Sequence, residues 1–268
     1  MYGRGRKTND GIAWLQNTNL YDWQKCSTFT IQTSCVMNVI ITGATKGMGK
    51  AIAQQFAAAG YQLLVCSRNE MDLYALVAEL LTAYPQATVK AKAADLSNKK
   101  EAIEFGNWCL QFGVPDILVN NAGQFIPGSI HNEADGILED LMAVNVYSAY
   151  HLTRAVLPTM IAEKTGHIFN ICSIASLNAY ANGGSYSITK FALLGFSKNL
   201  REELKPHGIK VTAVSPGATL SASWDGFEID PKRIMEAADI AKMVFAASQL
   251  SAQAVVEDIV MRPQLGDL

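Results

Sequence analysis

The sequence predicts an α/β fold: a three-layer, doubly wound parallel sheet with helices on both faces, built as a single domain. Three observations carry that prediction. From residue 36 onward, short apolar runs alternate with stretches of helical spacing. The runs are apolar at successive positions instead of every second one, as strands buried on both faces require. A glycine cluster between Gly43 and Gly49 stands at the first strand-to-helix junction, and ligands of doubly wound sheets lie beyond the carboxyl ends of the strands.

The elements follow in order. Val39, Ile40 and Ile41 form a β-branched run that ends at the glycine cluster and reads as the first strand. Residues 50–59 are Ala-rich with helical spacing and stop at Gly60, a residue suited to the left-handed position after a helix. A second strand is expected over 61–66 and a second helix over 70–83, stopped near Pro85. A third strand over 88–93 is followed by a helix over 98–112. Ile117, Leu118 and Val119 make a fourth strand, and one long helix is expected over 136–163. Residues 167–172 read as a fifth strand, and 186–204 as a helix closed by Pro206 and Gly208. A strand over 209–214, a helix over 238–250 and a short strand over 258–261 complete the pattern. No internal repeat or linker divides it.

A chain of 268 residues, 49% of them hydrophobic and 17% charged, fills a large core and is not globally disordered. Its net charge of −2 provides no field that favours nucleic acid or an anionic membrane. No apolar run approaches the roughly 18 residues that span a bilayer. The 5 cysteines (Cys26, Cys35, Cys66, Cys109 and Cys172) are dispersed and odd in number, which reads as reduced thiols in a cytoplasmic protein. The histidines His131, His151, His167 and His207 are isolated, so no metal motif is read.

Residues 1–36 are polar, rich in Asn, Thr and Gln, and contain no apolar core of a secretory signal. They are expected to lie outside the fold, as a loose extension or because translation begins at Met37. Intact-mass measurement on the native protein separates the two. The domain itself is expected over 37–268.

The cluster reads Thr42-Gly43-Ala44-Thr45-Lys46-Gly47-Met48-Gly49. Its spacing permits a tight turn and a close backbone approach to a pyrophosphate, with helix N–H groups and the helix dipole directed at it. A plain strand-to-helix turn is the alternative. The second strand then selects the nucleotide. An NAD site places an acid about 20 residues past the glycines. Here the strand ends Cys66-Ser67-Arg68-Asn69, with no acid before Glu70. Arg68 can pair with a 2′-phosphate in bidentate fashion, Ser67 can donate to it, and Lys46 adds a second cation. Each alone is an ordinary solvated side chain; together they favour NADP(H) over NAD(H).

Tyr186 and Lys190 stand four apart on a predicted helix and share one face. An ammonium near a phenol stabilises the phenolate and is expected to draw the Tyr186 pKa down. Ser173 follows the fifth strand, which puts a hydroxyl at the carboxyl end of the sheet.

In chain order, Thr42-Gly43-x-x-x-Gly47-x-Gly49, Asp95-Leu96, Asn120-Asn121-Ala122-Gly123, Asn145, Ser173, Tyr186-x-x-x-Lys190 and Pro216-Gly217 resemble the motif set of the short-chain dehydrogenase/reductase family. The resemblance covers about residues 37–262. It implies a Rossmann fold and NADP(H)-dependent hydride transfer between the nicotinamide and a small-molecule carbonyl or secondary alcohol. It implies Tyr186 as general acid in reduction, Ser173 as the group that polarises the substrate oxygen, and Lys190 as ligand of the nicotinamide ribose. Asn145 would hold a water in a proton relay.

For the cofactor it implies Gly43, Thr45, Lys46, Gly47, Met48 and Gly49 at the first turn, and Ser67 and Arg68 at the second strand. Asp95 and Leu96 would meet the adenine, and Asn121, Ala122 and Gly123 would pass beneath its ribose. Tyr186, Lys190, Pro216, Gly217 and Thr219 would surround the nicotinamide end. Ser173 has an alternative as a cap, Asn145 as a side chain that satisfies backbone groups in its own helix, and Asn120 as a brace of the sheet.

Two departures from the family pattern stand out. Thr219 occupies a position that is often Val, and Ser221 that of a Thr which meets the carboxamide. The segment 218–235, a mobile substrate lid in relatives, is short here, with Trp224 and Phe227 as candidate walls. Relatives are usually dimers or tetramers, so a homodimer or homotetramer through the helices at 136–163 and 186–204 is expected; packing on the sheet explains the same apolar faces. Within the class, a 3-oxoacyl-[acyl-carrier-protein] reductase is one specific reading. A non-catalytic NADP-binding regulator is the alternative from another class, and retention of Tyr186 and Lys190 speaks against it. A sugar-nucleotide epimerase needs a larger substrate domain after Lys190 than this chain carries.

Overall fold

The computed structural model describes residues 36–221 and 230–267. Residues 1–35 of the expected extension, and the candidate lid walls Trp224 and Phe227, lie outside the described residues. The strands are β1 (Asn38–Thr42), β2 (Gln62–Ser67), β3 (Thr88–Ala93), β4 (Ile117–Asn120), β5 (His167–Ile171), β6 (Lys210–Pro216) and β7 (Asp258–Met261). The helices are α1 (Gly47–Ala58), α2 (Glu70–Ala83), α3 (Lys99–Cys109), α4 (Ile137–Met142), α5 (Ser148–Glu163), α6 (Gly184–Leu204) and α7 (Ala237–Ser248). The strands pair in parallel in the order β3-β2-β1-β4-β5-β6-β7. This is the doubly wound sheet that the sequence predicts.

The successive apolar residues of each strand serve two different cores. Val39 and Ile41 pack with Ile52 and Phe56 of α1 and Val244 of α7. Ile40, between them, packs with Leu152 and Val156 of α5 and Leu200 of α6. β2 repeats the division, with Leu63 and Val65 in the first cluster and Leu64 in the second. Each such fully buried side chain contributes about 1.5–3 kcal/mol relative to exposure. β1 pairs with β2 on one side and β4 on the other. The strand order reverses there, and a crevice opens beyond Thr42 and Asn120.

A buried polar ladder fixes the strands that border this crevice. Asn120 Nδ2 donates to Thr153 Oγ1 at 3.0 Å and to Asn170 Oδ1 at 2.8 Å. Asn170 Nδ2 donates to Ser197 Oγ at 2.8 Å, and Ser197 Oγ to Leu193 O at 2.7 Å. The side chain of Asn120 therefore braces β4 against β5 and α5, and Asn170 carries the ladder on to α6.

The long helix expected over 136–163 differs from the prediction. A π-helical turn over Ala143–Tyr147 separates α4 from α5. The cause is tertiary: Asn145, inside that turn, is held by bonds to Gln124 and Thr189 (below), and one extra residue per turn admits it. α1 likewise starts earlier than its apolar spacing suggests, so that Gly47 and Gly49 lie inside its first turn.

One core residue makes the fold sensitive to acid. His167 Nε2 lies 2.7 Å from Thr212 Oγ1, and that hydroxyl gives its proton to Val256 O. Nε2 is therefore the donor and Nδ1, which has no partner, is the unprotonated nitrogen. Burial pushes the imidazole down to about 3. Between its ordinary value of 6.5 and about 3, the unfolded chain binds a proton that the fold refuses. Stability therefore falls as pH drops through that window, by about 1.4 kcal/mol per pH unit at most. Urea midpoints of the wild type and His167→Gln across pH 4–7 check this; the difference between the curves should shrink toward acid.

Candidate active site

A cavity of about 400 Å³ opens at the carboxyl ends of the central strands. Its walls bring together Ser173, Tyr186 and Lys190 with Met48, Asn121, Gly123, Pro216, Gly217 and Thr219.

The glycine turn forms the first part of the site. Gly43 and Gly47 hold φ of 62° and 52°, a left-handed conformation that side chains resist. Asn121 Nδ2 donates to Thr42 O at 2.9 Å and Gly43 O at 3.0 Å. Thr42 Oγ1 accepts from the N–H groups of Asn121 and Ala122, both at 2.9 Å. The Nδ2 group of Asn121 is thus spent on holding the turn. Lys46 is the N-cap of α1 and offers no side-chain cap, so the first N–H groups of the helix remain for a bound anion.

The other expected nucleotide residues stand at the ends of β2 and β3, outside the enclosed cavity. Arg68 is exposed. Ser67 Oγ donates to Asn69 O at 3.0 Å. Lys46 Nζ lies 3.6 Å from the Asp72 carboxylate; both are solvated, so this pair is weak and exchangeable. The Asp95 carboxylate accepts from Ser97 N at 3.1 Å and Ser97 Oγ at 2.8 Å, and Leu96 is buried beside it. Short surface loops thus bring these residues to one rim.

Ser173 follows β5 and opens a 3₁₀ turn over Ile174–Ser176. Its Oγ accepts from Ala175 N at 3.1 Å, so the cap reading holds. The hydroxyl proton remains for Tyr186, whose phenol it draws down through a hydrogen bond. Lys190 is buried, and Nζ donates to Ile171 O at 2.9 Å while lying 5.7 Å from the centre of the Tyr186 ring. Burial pushes the ammonium down to about 8.

The Tyr186 phenol departs from expectation. Burial pushes it up to about 12, with Ser173 the group that opposes this. In the protein alone Lys190 does not lower it, because the ammonium is turned to the Ile171 carbonyl. At neutral pH the phenol is therefore fully protonated, which suits a proton donor.

Asn145 is committed on three sides. Its Oδ1 accepts from Gln124 N at 2.7 Å, and its Nδ2 donates to Gln124 O and Thr189 Oγ1, both at 3.0 Å. The backbone groups it satisfies belong to Gln124, in the loop after β4, and not to its own helix as the alternative reading expected, so any water held here would need the π turn's backbone. A Cβ on Gly123 would lie 3.0 Å from Asn145 Oδ1 and 3.6 Å from Lys190 Nζ, so a side chain there would crowd the Asn145 amide. Thr219 is buried and donates to Gly217 O at 2.9 Å. Ser221 packs over the glycine turn, where a Cβ on Gly47 would come within 2.9 Å of the serine Cβ.

Four contributors escape sequence reasoning. Phe125 stands edge-on to Tyr186 with ring centres 4.8 Å apart; its place just after Asn121-Ala122-Gly123 was the available signal. Glu133 caps α6, with Oε2 accepting from Ser185 N at 3.3 Å and Oε1 from the Ser185 hydroxyl. Arg262 and Asp267 reach the cavity from the carboxyl-terminal tail, and nothing local in the sequence marks them.

A family model described as short chain dehydrogenase matches residues 37–230. The chain belongs to the short-chain dehydrogenase family. An uncharacterized oxidoreductase of Staphylococcus aureus is 31% identical to this short-chain dehydrogenase over 225 residues, 84% of this chain and 96% of the relative. Among solved structures, a metagenomic short-chain oxidoreductase in complex with NADP is 32% identical with a TM-score of 0.74, covering 85% of this chain and 97% of that one. A variant of actinorhodin polyketide ketoreductase with NADPH is 26% identical with a TM-score of 0.78, covering 87% and 98%.

Proposed function

We propose that residues 37–268 form an NADP(H)-dependent oxidoreductase that acts on a carbonyl or secondary alcohol. The observation that carries this is the convergence of the Ser173 hydroxyl, the Tyr186 phenol and the Lys190 ammonium on one cavity beside the glycine turn. The residues fit the cofactor. The left-handed glycines and the uncapped start of α1 form a cradle for a pyrophosphate, and Gly49 lets α1 close on that turn, since a Cβ there would lie 2.2 Å from Gly43 O. Arg68, Ser67 and Lys46 would hold the 2′-phosphate; Asp95 and Leu96, the adenine; the backbone of Asn121, Ala122 and Gly123, the adjoining ribose. Lys190 would hold the second ribose, and Pro216, Gly217 and Thr219 the ring beyond it. When bound, NADP(H) supplies or accepts the hydride.

The protein's own part is orientation and proton delivery. Ser173 Oγ positions the substrate oxygen and polarises it. In reduction, Tyr186 Oη gives its proton to that oxygen; in oxidation, the phenolate takes it. Lys190 holds positive charge beside the phenol and favours the phenolate left after delivery. Gln124 reaches Lys190's neighbour Thr189 through Asn145, which keeps that wall of the site rigid.

NADP-bound and NADPH-bound relatives support the choice of nucleotide, as does the absence of an acid at Ser67-Arg68. Arg68→Asp is expected to invert that choice, lowering kcat/KM with NADPH about tenfold or more and raising it with NADH. An unchanged NADPH/NADH ratio would remove Arg68 from the phosphate site. NADPH oxidation followed by absorbance over ketones, 3-oxoacyl thioesters and sugars tests the activity itself. Loss of NADPH on none of them, with NADPH still bound, would favour the regulator.

A homo-oligomer is supported by Tyr147 just before α5, Tyr150 on α5, and Ile188 and Phe191 on α6, all exposed. A cytoplasmic setting is supported by Cys66, Cys109 and Cys172, which are buried free thiols. Among the described residues, no helix is long and apolar enough to cross a membrane.

A further inference from the structure

The wall of the catalytic cavity carries a cation that the proposed chemistry does not use. Among its described residues the charged side chains are Lys190, Arg262 and Asp267. Lys190 is buried and donates to Ile171 O. Arg262 stands at the mouth, one residue past the end of β7.

The position of Arg262 is built. Gly217 N–H donates to Met261 O at 2.7 Å, which ties the end of β7 to the turn after β6. Arg233 donates to the carbonyls of Gly266 at 2.9 Å and Asp267 at 3.0 Å, clamping the tail from behind. The guanidinium is oriented from both sides. Nη1 pairs with the Asp267 carboxylate. With the Asn178 amide turned so that both its ends are satisfied, Nη2 donates to Asn178 Oδ1 at 3.1 Å. Asn178 lies just past the turn that Ser173 opens and lines the same cavity.

A guanidinium carries five N–H donors in a planar fork matched to a carboxylate. Two bonds orient this one and leave donors to spare. Its present anion, Asp267, has a side chain 34% exposed, and that of Arg262 is 40% exposed. That anion can share or yield the fork at small cost. Phe125, Ile174 and Ala179 supply apolar wall around the same space.

We propose that Arg262 determines substrate specificity by binding a carboxylate borne on the carbonyl or alcohol substrate, at the end remote from the reacting carbon. The proposal rests on the reading of this cavity as a reductase site. Asn178 and Asp267 are its positioning partners: the amide aims the fork, and the acid keeps it extended until a substrate arrives.

The test uses the NADPH-loaded full chain and a matched series of oxo-carboxylic acids and their methyl esters, with the ketone two to four carbons from the carboxyl. The wild type should show kcat/KM about tenfold or more higher on at least one acid than on its ester. Arg262→Gln should abolish that preference, mainly through KM, and leave the esters within about twofold. Asp267→Asn, which removes the competing anion, should enlarge the preference. In a second measurement, unreactive alkanoates are titrated calorimetrically into NADP-loaded protein, which reads binding without turnover; Arg262→Gln should weaken it about tenfold. Equal use of acids and esters by the wild type would overturn the proposal. So would an equal loss on both series in Arg262→Gln, which would make the residue a pin for the tail. Arg262-dependent alkanoate binding with no ketone turned over would sink the reductase reading and keep the anion site. Ketone turnover without acid preference or alkanoate binding would do the reverse.

Discussion

Tyr186→Phe is expected to lower turnover by about 10²–10⁴-fold while NADPH affinity stays within about twofold. The substitution removes one oxygen and keeps the ring, so the edge-on contact with Phe125 survives. What disappears is the proton that a carbonyl oxygen must receive. Ser173 cannot replace it: its hydroxyl interacts with the phenol and its lone pair is bound to Ala175 N–H. The direction of pH dependence follows from the same group. Burial raises the phenol to about 12 in the protein alone, so the acid form dominates at neutral pH and reduction starts from the correct protonation state. Oxidation needs the phenolate, and its rate should climb as pH rises toward the raised phenol value. Single-turnover reduction and NADPH titration of the variant check both halves. Near-normal turnover would remove Tyr186 from the acid role; loss of NADPH binding would make it a structural residue.

The parts of the site that were legible in the sequence are those fixed by short-range geometry. Tyr186 and Lys190 share a helical face whatever else the chain does, and Ser173 is carried to the cavity by the strand before it. The strands were legible because both faces are buried: Ile40 faces one core and its neighbours Val39 and Ile41 the other. The π turn at Ala143–Tyr147 was hidden because its cause lies at Gln124, 21 residues away, and apolar spacing runs through it almost undisturbed. Arg262 and Asp267 were hidden for the same kind of reason. They reach the cavity only because Arg233 and Gly217 fold the tail back, and no local pattern encodes such a return. The phenol's raised pKa was also out of reach, since pattern predicts a neighbouring ammonium but not which way it points.

Gly49→Ala separates the two ways of reasoning, because they predict opposite signs. Gly49 lies within α1, where alanine is favoured over glycine by about 1 kcal/mol on helix propensity alone. Local reasoning therefore expects a more stable protein. The packing says otherwise. A Cβ at this position would lie 2.2 Å from Gly43 O and 2.4 Å from Asn121 Nδ2. Neither atom can give way cheaply. The carbonyl belongs to a left-handed glycine, and the amide holds that carbonyl and Thr42 O at once. The methyl must push the turn off the end of β4, at a cost of about 3 kcal/mol, and the cradle proposed for the pyrophosphate opens with it. NADPH affinity should fall about tenfold or more in step with the urea midpoint. Gly60→Ala is the matched control. Gly60 holds φ of 81° but has no atom within 4 Å of its Cβ position, so that variant bears only left-handed strain of about 1 kcal/mol and should bind NADPH normally. A stabilised Gly49→Ala protein that still binds NADPH would mean that close approach of Gly49 to the first turn is not what shapes the nucleotide site.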